Sequence, residues 1–234
     1  NRELAFLKNL FTMAVKWGKA SENPVAQMRF FREENGRTRF LTENEETRLL
    51  ASCNPFLRPL VVTALHTGFR KSELLSLRWG QVDFRHRLVT VDAAYAKNGE
   101  TRSVPMTAML YNTLRPLQAG ATIPVFLTHN GTPYQHIAKV FEATCRRAGL
   151  TDVTFHDLRH TFASRLVMAG VDLPTVQALM GHKRIDMTLR YTHLAPGHKR
   201  TAITVLDRTQ EKVPPIFTTG QKTYSGEFLQ VIER

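Results

Sequence analysis

Four blocks of the sequence carry side chains of the types that phosphate chemistry needs. The first is Thr67-Gly68-Phe69-Arg70-Lys71-Ser72-Glu73-Leu74, where Arg70 stands between a glycine turn and a helix start. A guanidinium placed there can aim its planar fork at phosphate oxygens. The second is Ala96-Lys97-Asn98-Gly99-Glu100-Thr101-Arg102, with Lys97 directly before a hairpin turn. An ammonium on such a tip can reach into a nucleic-acid groove and protonate a leaving 5′ oxygen. The third is Phe155-His156-Asp157-Leu158-Arg159-His160-Thr161. His156 and Arg159 are three apart and share a helix face, near an N-terminus that offers free backbone donors to an anion. The fourth runs from Leu179-Met180-Gly181-His182 to Thr188-Leu189-Arg190-Tyr191-Thr192-His193. His182 follows a glycine at a helix end, and Tyr191 lies in a basic setting that Tyr95, Tyr111, Tyr134 and Tyr224 lack. Phosphodiester transfer without a metal requires a nucleophile, cations around the non-bridging oxygens and an acid for the leaving oxygen. These blocks supply candidates for each.

Each block also has a plainer reading when taken alone. Arg70 is then a surface arginine, Lys97 a solvated hairpin lysine, His156 part of a capped helix, and Tyr191 a structural tyrosine. Glu73, three residues after Arg70, suits local orientation or capping better than catalysis. His156-x-x-x-His160 has the spacing of a two-histidine zinc site. Against zinc stand Asp157 in place of the longer glutamate, the Arg159 cation beside the metal, and the lack of a third ligand. No metal or organic cofactor is therefore expected.

The charge balance narrows the partner. Lys and Arg outnumber Asp and Glu 32 to 20, a formal net charge of +12. Such an excess points to a polyanion, with DNA or RNA ahead of a lipid surface. The excess lies before residue 207, because residues 207–234 balance Arg208, Lys212, Lys222 and Arg234 against Asp207, Glu211, Glu227 and Glu233. Two unpaired cysteines, Cys53 and Cys145, argue against a disulfide framework and suit a reducing compartment. No apolar run approaches the roughly 18 residues of a membrane span. The first residues read as an amphipathic helix rather than a signal peptide.

The elements that must position these residues are mostly helical. Leu4, Leu7, Phe11, Ala14 and Val15 form one stripe of a helix, which Asn23-Pro24 ends. The sequence starts at Asn1 inside this pattern, so residues 1–24 read as the last helix of a larger, truncated helical domain. Residues 25–40 are basic and irregular, a linker. Thr42-x-x-Glu45 is a capping box that opens a second unit, with helices expected over 42–51, 56–66, 72–78, 107–118, 134–148, 156–169, 174–180 and 186–193. Leu88-Val89-Thr90-Val91 alternates as a strand, Asn98-Gly99 is a hairpin turn, and Arg102-Ser103-Val104 returns. The expected class is mainly α with a small antiparallel β-sheet, α+β, over residues 41–206, followed by a tail over 207–234.

Taken together and in this order, Arg70, Lys97, His156-x-x-Arg159, His182 and Tyr191 resemble the active-site signature of the tyrosine recombinases, or phage-type integrases. The resemblance covers about residues 40–200, and residues 1–24 resemble the last helix of that family's core-binding domain. It implies a C-shaped clamp on double-stranded DNA and a 3′-phosphotyrosyl intermediate on Tyr191. Arg70 and Arg159 would hold the non-bridging oxygens, His182 would add a hydrogen bond, and His156 would accept the phenol proton. Lys97 would protonate the departing 5′ hydroxyl. It also implies a homo-tetramer on paired sites, accessory DNA-bending or directionality proteins, a tail that docks on a neighbouring subunit, and a cytoplasmic, nucleoid-associated prokaryotic setting with no membrane role. Two further readings stand beside it: a type IB topoisomerase-like relaxing enzyme, and a non-catalytic DNA-binding relative.

Overall fold

A computed structural model describes residues 1–31, 39–93, 99–194 and Ile203. Lys97 and the 207–234 tail lie outside the described residues. The chain divides into two units, Asn1–Thr38 and Arg39–Arg234. In the first, helix α1 (Arg2–Lys16) buries none of its residues, and Phe6, Leu10 and Trp17 stand exposed. Asn1 ties α1 to the segment that follows, donating to Phe31 O and accepting from Phe31 N.

The second unit is built around one helix buried along most of its length. Helix α2 (Glu43–Ser52) opens with the capping box expected from Thr42 and Glu45. Helix α3 (Arg58–Thr67) begins with Pro59 in its first turn, where no N–H is missed, and ends on Gly68 in the left-handed region at φ 63°. Leu60, Val61 and Val62 are fully buried, as a helix apolar on every side requires. Its two inward threonines satisfy their hydroxyls within the helix, Thr63 on Pro59 O and Thr67 on Thr63 O. Leu60→Ala should therefore cost ~2–5 kcal/mol of unfolding free energy, the range for cavities in close-packed cores, measured by denaturant unfolding.

Short helix α4 (Lys71–Leu75) follows and leads to an antiparallel sheet in the order β1 (Val82–Asp83), β2 (Leu88–Val91), β3 (Arg102–Pro105). Val89 faces Val82 on one side and Val104 on the other, and Val89, Val91 and Val104 point into the core. Thr90 and Ser103 pair their hydroxyls on the outer face at 2.8 Å. The two-residue β1 carries too little alternation to be read from sequence. Helix α5 (Ala108–Leu114) is shorter than expected because Arg115-Pro116 tightens the chain into a 3-10 turn. Helix α6 (Ala138–Arg147) starts four residues later than expected, after an irregular stretch beyond Pro133.

Helix α7 (Phe155–Met168) packs on α3. Thr154 caps it, with Asp157 accepting from the Thr154 backbone N–H at 2.7 Å and hydroxyl at 2.8 Å. The Asp157 carboxylate is thereby used by the cap. Helix α8 (Leu173–Met180) is capped by Asp172 and ends on Gly181, again left-handed at φ 61°. Helix α9 (Asp186–Leu189) is a single turn, followed by a 3-10 turn over Thr192–Leu194 rather than one helix to 193. A second, smaller core forms where α7, α8 and the segment after α9 meet, from Phe162, Ala163, Val167, Val176, Met180 and Tyr191. Among the described residues no helix is long and apolar enough to cross a membrane.

Candidate active site

The two left-handed glycines place the arginines. Gly68 ends α3 and turns the chain so that Arg70 falls at the start of α4; a Cβ on Gly68 would lie 2.4 Å from the Phe162 ring. Gly181 ends α8 and delivers His182. Arg159, on the buried face of α7 and 3% exposed, bridges these turns by donating to Gly68 O and, at 2.6 Å, to Met180 O. Arg70 donates to Gly181 O at 2.9 Å and to Glu73 Oε1 at 2.8 Å. Arg102, at the start of β3, completes the cluster with two bonds to the Glu73 carboxylate.

Two guanidinium groups thus hold the Glu73 carboxylate and a third, Arg159, stands near enough to feel its charge, so positive charge is in surplus. The consequences appear at Arg159, Glu73 and His182. Burial pushes Arg159 down to about 9, with Arg70 and Arg102 adding to the push, so it remains charged at neutral pH. Burial alone would raise Glu73, but hydrogen bonds and charge from Arg102, and then Arg70, hold it below the usual carboxylate range. Burial, then Arg159, Arg70 and Arg102, lowers His182 to about 3. An incoming anion would offset the cationic part of the Arg159 and His182 shifts.

His182 is nearly buried and its Nδ1 lies 2.8 Å from Thr188 Oγ1, which fixes the ring. Tyr191 is 1% exposed. Its ring packs in the smaller core and its Oη lies 2.7 Å from His160 Nδ1. Burial raises the phenol above its ordinary value, while the charges of Arg159 and Arg190 pull the other way. Burial, then His156 and Arg190, lowers His160 to about 4. His160 is therefore neutral at pH 7, with Nδ1 free to accept the phenol O–H. The His156 ring stands edge-on to His160 at 4.7 Å and is itself exposed at the rim.

Arg70, Arg159 and His182 are thus brought together around the Gly68 and Gly181 turns. Tyr191 shares the core of Phe162 and Met180, the side chains that also close on Gly68. The phenol's hydrogen-bond partner is His160, where the sequence pointed to His156. The two differ by one helical turn, and α7 turns the second histidine inward. Sequence reasoning also missed Arg102, Arg190 and Thr188. The first was visible as a basic residue at the returning strand, but nothing along the chain tied it to Glu73. His160, the second histidine of the zinc spacing, meets Tyr191 Oη through Nδ1. Among the described residues, no three His, Cys, Asp or Glu side chains converge as a ligand set.

The buried histidines predict an acid-sensitive fold. Unfolded, a histidine titrates near 6.5; folded, His160 and His182 do so at about 4 and about 3. The unfolded chain therefore binds their protons first, so stability is full above about pH 6.5 and falls as the pH drops toward the folded values. The thermal midpoint should decline between pH 6.5 and 5, where carboxylates remain ionised. Replacing both histidines by Asn should flatten that decline, measured by circular dichroism melts.

The model of the phage integrase family matches residues 39–198. A shufflon-specific DNA recombinase of Escherichia coli is 34% identical over 224 residues, covering 92% of this chain and 56% of the relative. The chain thus spans little more than half the length of that relative. Among solved structures, the catalytic domain of bacteriophage HP1 integrase is 32% identical with a TM-score of 0.56, over 70% of this chain and 93% of that domain. The Tn1549 transposon integrase in complex with transposon right end DNA has a TM-score of 0.72 at 22% identity, over 88% of this chain and 78% of that one, and shows the fold. The chain belongs to the phage integrase family of tyrosine recombinases. The mainly helical fold with its three-stranded antiparallel sheet is that of the catalytic domain.

Proposed function

We propose that the protein is a site-specific DNA recombinase that cleaves and rejoins strands through a 3′-phosphotyrosyl bond to Tyr191, in the service of a mobile element. The observation that carries this reading is the surplus of guanidinium charge at part-buried Arg70 and buried Arg159, with a held phenol and His182 in the same unit. The Tyr191 oxygen attacks phosphorus in line and the P–O5′ bond breaks. The phenol proton passes to the His156–His160 pair, of which His160 makes the contact at rest. Arg70, Arg159 and His182 stabilise the charge of the pentavalent state. Lys97 gives the departing 5′ oxygen its proton. Because the ester retains the energy of the broken bond, a 5′ hydroxyl from another strand reverses the step without ATP.

The net charge of +12 suits binding along a duplex backbone. The assembly we infer is a homo-tetramer on two paired sites in the bacterial cytoplasm, on the nucleoid. The 207–234 tail would dock on a neighbouring subunit, with DNA-bending or directionality proteins as accessories. Residues 1–24 would be the last helix of a core-binding domain and 25–40 the linker to the catalytic domain at 41–206.

A nicked duplex that loses its 5′ hydroxyl after cleavage traps the covalent complex, and peptide mapping identifies the attached residue. The expected residue is Tyr191; attachment elsewhere, or none, overturns the reading. For Lys97 the expectation is separate. Lys97→Ala should slow cleavage of ordinary DNA by ~10²–10⁴-fold, the usual contribution of a general acid. A 5′-phosphorothiolate, whose leaving group needs no proton, should restore the rate. Failure of that rescue removes Lys97 from its role.

A further inference from the structure

The six-residue constellation leaves out a seventh polar side chain that is more tightly held than most of its members. The Glu73 side chain is fully buried. Its Oε2 accepts from the Arg70 backbone N–H at 2.7 Å and from Arg102 Nη2 at 2.6 Å; its Oε1 accepts from Arg70 Nη1 at 2.8 Å and Arg102 Nη1 at 3.1 Å. Arg102 thus grips both oxygens with its fork, while Arg70 takes one with its side chain and the other with its backbone. The third Arg102 donor, Nε, goes to Leu179 O at 3.3 Å, and the guanidinium lies over the Phe69 ring at 4.9 Å. Gly181 closes the last side. A Cβ there would stand 2.9 Å from Arg102 Nη1 and 3.0 Å from its Cδ and Cζ, so the glycine admits the arginine as well as the left-handed turn.

Arg102 therefore touches the two turns that present Arg70 and His182, and spends its fork on protein rather than turning it outward. Without Arg102 the Glu73 carboxylate would be held by Arg70 alone, and the Arg70 guanidinium would keep only Gly181 O as an independent anchor. We propose that Arg102 is a positioning residue for strand cleavage: by clamping Glu73 from β3, it fixes the direction in which Arg70 meets the scissile phosphate. The proposal rests on the recombinase reading above.

The test uses the full chain with Arg102→Gln and Arg102→Lys, on the nicked trapping substrate and on the same DNA carrying a methylphosphonate at the scissile position. The methyl group removes the non-bridging charge that Arg70 answers. On the phosphodiester, Arg102→Gln should leave the Kd for DNA nearly unchanged and lower the rate of adduct formation by ~10–100-fold, the scale on which outer partners act at metal sites. On the methylphosphonate diastereomer whose methyl stands at the Arg70 position, the deficit should largely vanish. Arg70→Ala combined with Arg102→Gln should be no slower than Arg70→Ala alone, because the two act as one unit. Arg102→Lys keeps charge but no fork, and should fall between wild type and Gln. If Arg102→Gln does not fold, the Lys variant carries the same comparison. An equal deficit on both substrates, rates that multiply in the double variant, or a wild-type rate in either single variant overturns the proposal. Absence of adduct in the wild-type protein would instead overturn the recombinase reading, so the two failures are distinguishable.

Discussion

Tyr191→Phe should bind DNA as well as the wild-type protein does and form no covalent adduct. The phenyl ring of the variant fits where the phenol sits, because the Tyr191 ring is packed among Phe162, Ala163, Val167, Val176 and Met180 and is 1% exposed. Only Oη is lost, and with it the 2.7 Å bond to His160 Nδ1. A buried acceptor left alone costs ~1–3 kcal/mol, which a two-state melt would register without loss of the fold. The effect on chemistry is of another order. With the attacking oxygen gone, adduct on nicked DNA should fall below detection on a denaturing gel while gel-shift affinity holds. Undiminished adduct would remove Tyr191 as the nucleophile.

The second large effect falls on Arg159. Its guanidinium is buried, donates to Gly68 O and Met180 O, and lies at about 9 because burial and the charges of Arg70 and Arg102 oppose it. The repulsion from Arg70 and Arg102 is the part of that opposition that an anion would offset. Arg159→Lys keeps a charge but supplies a point in place of a fork. It cannot hold both turns and also face a phosphate. The expected loss in the rate of adduct formation is ~10²–10³-fold, in line with the removal of one preorganised donor to a developing oxyanion. DNA affinity should change far less, since most of it comes from backbone contacts across the whole surface. Single-turnover trapping against a gel-shift titration separates the two quantities. A Lys variant that cleaves at the wild-type rate would show that Arg159 serves only to tie Gly68 to Met180.

How far the site was legible depends on sequence separation. Where partners lie within one helical turn, spacing alone was enough, as for Thr42 with Glu45; His156 and Arg159, also three apart, differ in exposure, the first exposed and the second buried. Element ends followed local chemistry, with Gly68 and Gly181 stopping α3 and α8 as left-handed caps. The helix expected over 107–118 ends at Leu114, before the 3-10 turn that contains Pro116.

The sequence by itself determined which residue types were available for phosphate chemistry, the mainly helical class with one small sheet, and the order of the blocks along the chain. Tertiary structure alone decided that Arg102 meets Glu73 across 29 residues, that Tyr191 meets His160 across 31, and that Arg70 meets Gly181 across 111. The reason is physical. A helical period fixes neighbours three and four residues apart, whereas contacts between distant segments depend on how α3, α7, α8 and β3 pack, and no local spacing encodes that packing.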